Sequence, residues 1–135
     1  MSVGLVVVSH SRRLAEGLEE LLAQVAQGRV PVAVTGGAED GSLGSDVLGI
    51  ETAIESVAGP DGVVVLMDLG SAVLAAEAAL ELLPVEVRER VRLADAPLVE
   101  GAVAAAVEAS LDADLEAVAR AAEAARTVAK LERPG

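Results

Sequence analysis

The reading turns on Gly4-Leu5-Val6-Val7-Val8-Ser9-His10-Ser11. An unbroken Val-rich run that breaks abruptly into polar residues is the pattern of a central parallel strand, buried on both faces, with its polar tip at the carboxyl end. Working outward, Gly62-Val63-Val64-Val65-Leu66-Met67 repeats the pattern and ends in Asp68-Leu69-Gly70-Ser71. Two weaker runs, Val30-Pro31-Val32-Ala33-Val34 and Val91-Arg92-Leu93-Ala94, carry a proline and a charge and therefore suit the sheet edges.

Helical spacing fills the intervals. Leu14, Leu18, Leu21, Leu22 and Val25 form one face, with Gly28 as its stop. Val47, Ile50, Ile54 and Val57 form a second, and Val73, Ala76, Leu80 and Leu83 a third that ends at Pro84. Pro97 opens a fourth helix with Val99, Val103 and Val107 on its face. An Ala-rich fifth runs from about Asp114 to Leu131, presenting Leu115, Val118, Ala122 and Ala125. The alternation predicts one three-layer α/β domain over 1–135, a four-stranded parallel sheet with helices on both faces.

Composition narrows the function. Of 135 residues, 53% are hydrophobic and none is aromatic, so there is no platform for stacking bases, flavins or sugars. A net charge of -12 disfavours nucleic acid and anionic membranes and favours a partner with a basic face. With one His and no Cys, a bound transition metal is not expected. The first apolar run is too short for a signal core or membrane span and lacks a basic leader, so a cytoplasmic protein is expected. P-loop and dinucleotide fingerprints are absent, as is the Gly-x-Ser-x-Gly elbow of serine hydrolases.

Ligands of open parallel sheets bind beyond the carboxyl ends of the strands. His10 sits there, next to a helix start whose free amides favour an anion on the ring, and a neutral imidazole is a nucleophile toward phosphorus. A solvated or structural histidine is the competing reading. Asp68 ends the third strand. If strands one and three are neighbours, it can accept a hydrogen bond from His10 and fix the tautomer; it can equally be a helix cap or turn residue. Gly36-Gly37 and Gly70-Ser71 offer backbone amides to an anion or simply make tight turns, and Ser71 either donates to a phosphoryl oxygen or caps the third helix.

Three stretches together resemble the mannose-type enzyme IIA family of the phosphoenolpyruvate-dependent phosphotransferase system. They are Gly4 to Ser11, Met67-Asp68-Leu69-Gly70-Ser71-Ala72 and Ala96-Pro97-Leu98-Val99-Glu100-Gly101. The second and third resemble the branch that serves as phosphotransfer subunit of bacterial dihydroxyacetone kinase. The resemblance implies sheet order 2-1-3-4 and a homodimer. It implies that His10 accepts phosphate from the carrier protein HPr, through Nε2, and passes it to ADP on a separate kinase subunit. Asp68 then stands beside the histidine as the second catalytic residue, with Ser11, Gly36, Gly37, Gly70 and Ser71 as the expected phosphate-binding residues. No tightly bound cofactor is expected beyond covalent phosphate on His10; ADP and Mg²⁺ belong to the partner. Some family members continue into carrier-like domains, so a single-domain chain is expected to take phosphate from a separate donor. The competing readings are delivery to a sugar transporter and a non-catalytic phosphorylation sensor.

Overall fold

The valine runs become the two inner strands. A computed structural model describes residues 2–133, with elements β1 (Gly4–Ser9), α1 (Arg12–Val25), β2 (Val32–Gly36), α2 (Val47–Val57), β3 (Val63–Met67), α3 (Gly70–Leu82), α4 (Val85–Arg88), β4 (Val91–Leu93), α5 (Leu98–Ser110) and α6 (Leu115–Ala124). A 3-10 turn, Ala125–Thr127, follows α6. The sheet is parallel throughout, in the order β2-β1-β3-β4, as the alternation and the family resemblance predict. Every residue of β1 and β3 is buried, whereas β2 is only half-buried, as an edge strand should be.

Side-chain alternation along the strands divides the core in two. Leu5, Val7, Val64 and Leu66 pack beneath α1, α5 and α6. Val6, Val8, Val63, Val65 and Met67 pack against α2 and α3. The register pairs Val8 with Met67, so one step further along, Ser9 and Asp68 leave the sheet side by side.

Several elements depart from their expected form. β2 starts two residues late, because Pro31 has no N–H for the ladder and contributes only its carbonyl, to Leu5 N. The one-turn α4 after Pro84 is new. In α5 the buried face is Gly101, Ala102, Ala105, Ala106 and Ala109, while Val99 and Val107 are 46% and 43% exposed. In α3, Ala76 and Leu83 are buried and Leu80 half-buried as expected, but Val73 is exposed and Ala72 and Ala79 are buried beside them. Small residues face inward because α5 packs closely on α6 as well as on the sheet: a Cβ on Gly101 would lie 3.4 Å from the Ala122 carbonyl oxygen of α6 and 3.6 Å from Leu66 Cδ1 of β3. Helix α6 ends at Ala124, well short of Leu131; the β-branched Thr127 and Val128 follow, and the Thr127 hydroxyl donates to the Ala124 carbonyl. Among the described residues, no helix is long and apolar enough to cross a membrane.

Candidate functional site

Because β1 and β3 are adjacent and parallel, their carboxyl ends bring His10 and Asp68 together. Asp68 Oδ1 lies 2.9 Å from His10 Nδ1, and Oδ2 accepts from the His10 backbone N–H at 2.9 Å and from the Ser9 hydroxyl at 3.0 Å. Leu69 N–H also donates to Oδ1, at 2.7 Å. The local turn role foreseen for Asp68 is therefore present alongside the histidine contact. Burial alone would raise the Asp68 pKa, but the hydrogen bonds from His10, Ser9 and Leu69 outweigh it and hold the carboxyl below the usual carboxylate range.

That charge state determines the tautomer. An ionised carboxylate only accepts, so Nδ1 carries a proton, and in the neutral imidazole Nε2 presents its lone pair. Nε2 points to the α3 side, where the Ser71 hydroxyl donates to it at 2.5 Å. The His10 side chain keeps 22% of its surface in solvent, so the lone pair stands at an open rim. Ser71 and Gly70 begin α3, and among the described residues their amides have no recorded hydrogen-bond partner, as first-turn amides characteristically do not. These donors and the helix dipole make the Nε2 side suited to an anion.

The other expected residues fall near the ring with different contacts. Ser11 caps α1, its oxygen accepting from Leu14 N–H, and its own N–H donates to Ser9 Oγ. Gly36 lies against the α1 start: a Cβ there would sit 2.6 Å from Arg12 Cα and Ser11 O. Gly37, at φ +80°, donates its N–H to the Ser9 carbonyl at 3.2 Å. The structure thus joins His10, Asp68 and Ser71 directly, and sets Gly36 and Gly37 behind the ring's backbone.

Two further residues belong to the site. Ser9, 1% exposed, bridges Asp68 and the Ser11 amide. Ser45 reaches the ring from the loop before α2, its Oγ 3.5 Å from Nε2. The signal for Ser9 was its place at a buried strand end. Nothing local in the sequence marks Ser45, since its position depends on how the glycine-rich loop folds back.

The fold and site thus define a parallel α/β domain in the strand order 2-1-3-4 with a carboxylate-oriented histidine at its central tip. Residues 4–119 match the EIIA-man family, described as the PTS system fructose IIA component, and the chain belongs to that family. The phosphoryl donor subunit DhaM of the PEP-dependent dihydroxyacetone kinase of Escherichia coli (strain K12) is 50% identical over 106 residues, covering 76% of this chain. This chain spans only 22% of that relative's length. The corresponding subunit of dihydroxyacetone kinase 2 from Listeria innocua serovar 6a is 41% identical over 104 residues, covering 77% of this chain and 83% of the relative. A crystal structure of a protein of unknown function superposes with a TM-score of 0.82 at 35% identity, covering 92% of this chain and 95% of that one. A mannose/sorbose-specific IIA subunit from Enterococcus faecalis shares the fold, with a TM-score of 0.57 at 20% identity over 100% of this chain and 98% of that one.

Proposed function

We propose that this chain is the phosphoryl carrier of a PEP-dependent dihydroxyacetone kinase, accepting phosphate from HPr on His10 Nε2 and passing it to ADP on a kinase subunit in the cytoplasm. One observation carries the reading: Asp68 holds the Nδ1 proton while Nε2 opens toward Ser71 and the amides that begin α3. The substrate class is taken from the relatives, which are dihydroxyacetone kinase phosphoryl donor subunits.

In the first step the Nε2 lone pair bonds to phosphorus as the donor's N–P bond breaks, its electron pair returning to the donor's ring nitrogen. The Nδ1 proton stays in place, and the positive charge that develops on the ring is balanced by Asp68. In the second step an oxygen of the ADP β-phosphate displaces Nε2, whose electron pair returns to the ring. Both steps exchange bonds of similar energy, so positioning and charge complementarity suffice without a strong acid or base. Phosphate is held covalently on His10; ADP with its Mg²⁺ stays on the partner.

The test is incubation with phosphoenolpyruvate, enzyme I and HPr, followed by intact-mass detection. One phosphate, acid-labile and absent from His10→Ala, is expected, and it should discharge to the ADP-loaded kinase subunit. Label persisting in His10→Ala, or discharge only to a sugar-transporter domain, would reverse the reading.

A further inference from the structure

We propose that Ser45 is a phosphoryl-binding residue that engages only the phosphorylated form of His10, and so sets how much phosphate the carrier holds at equilibrium. The inference rests on the carrier reading above. The loop from Gly37 to Asp46 is folded against the site by backbone contacts. Gly37 N–H donates to the Ser9 carbonyl, Ala38 N–H to that of Ser42 at 2.7 Å, and Gly44 N–H to the carbonyl of His10 itself at 3.1 Å. The last contact places the next residue, Ser45, over the imidazole.

The two hydroxyls facing Nε2 are not equivalent. Ser71 Oγ, at 2.5 Å, already occupies the lone-pair direction and must swing aside when phosphorus bonds there. Ser45 Oγ, at 3.5 Å, is beyond a good hydrogen bond to nitrogen. Among the described residues its hydroxyl has no nearer recorded partner. An oxygen on phosphorus attached to Nε2 falls between ring and hydroxyl, within reach of that donor. The hydroxyl keeps its proton throughout and only donates a hydrogen bond, so the transfer chemistry is unchanged.

The consequence is thermodynamic. A bond made in one state alone shifts the equilibrium by its full free energy, whereas Ser71 exchanges one partner for another and largely cancels. The hydroxyl farther from the nitrogen therefore matters more to the equilibrium.

The experiment equilibrates the protein with phospho-HPr and measures the phosphorylated fraction by intact mass. Ser45→Val is expected to lower the transfer equilibrium constant about tenfold, the size of one hydrogen bond to a charged group. Ser45→Thr, isosteric with the Val variant but keeping the hydroxyl, should stay near wild type. Ser42→Ala, on the same loop, is the control. In the unphosphorylated protein, the ¹⁵N resonance of Nε2 should move in Ser71→Ala and stay put in Ser45→Val. Equal constants for the Val and Thr variants, or a Nε2 shift in Ser45→Val as large as in Ser71→Ala, would overturn the role of Ser45. If wild type takes no phosphate from phospho-HPr, or His10→Ala takes as much, the carrier reading itself has failed.

Discussion

Asp68 is the residue on which the site's chemistry depends most visibly. Its two oxygens accept four hydrogen bonds, and an asparagine offers only one acceptor oxygen. Asp68→Asn must therefore turn an N–H₂ toward donors on one side. Losing one charge-assisted bond of about 1.5–3 kcal/mol predicts labelling of His10 slower by about 10- to 100-fold, read from the initial rate with HPr in excess. The same carboxyl shapes the acid stability. Its folded pKa lies below the ordinary aspartate value, so the stability it supplies is complete above that ordinary value and is lost as pH falls through the lower folded one. Urea midpoints below pH 4 should fall more steeply in wild type than in Asp68→Asn; parallel curves would show that the carboxylate adds nothing on folding. His10, Asp68 and Ser71 were legible because strand ends in a parallel sheet converge. Ser45 was not, because its approach depends on a turn more than thirty residues away from His10.

At the scale of the elements, the helix starts are placed by close backbone approaches. Gly36 touches the first residues of α1, and an added Cβ would meet backbone that has no rotamer to change. Gly36→Ala is expected to cost about 1–3 kcal/mol and to slow labelling as α1 and Ser11 shift; unchanged urea unfolding would remove this packing role. Helix faces teach a second lesson. Periodicity located α3 and α5 and placed Ala76 and Leu83 inside as found, but in α5 it chose Val99 and Val107 for the buried face, when Ala102, Ala105, Ala106 and Ala109 are inside. A helix rich in both residue types carries two apolar stripes, and only the distance to the neighbouring layer selects between them. Ala102→Leu, at a fully buried site, should therefore destabilise by about 1–3 kcal/mol, while Val107→Ala should stay within about 0.5 kcal/mol of wild type. Thermal or urea unfolding of the pair checks the assignment, and a reversed order would refute it.

Across the whole molecule, charge is distributed unevenly. The net charge is -12, yet Arg12 and Arg13 follow the site directly, both exposed. Among the described residues neither forms an ion pair; the pairs formed by arginine and lysine join Arg92 to Glu116, Arg126 to Asp95 and Lys130 to Glu100. An acidic body steers a basic partner, and free arginines beside the histidine ease the approach of phosphate. The second-order labelling rate should accordingly fall by about tenfold as salt rises from about 0.02 to about 0.5 M. Stopped-flow or quench measurement checks this, and a salt-independent rate would mean that docking is not electrostatically guided.

The amino-acid sequence alone determined the class of fold, the pairing of valine runs with central strands, and the single histidine on which the proposed transfer rests. These follow from local properties: uninterrupted β-branched apolar runs, breaks at glycine and proline, and the presence of a single histidine. Only the tertiary structure decided which stripe of each helix is buried, where β2 and α6 begin or end, and which hydroxyls face Nε2. Those depend on distances between segments far apart in the chain, and such distances are set by packing rather than by any residue's own preference.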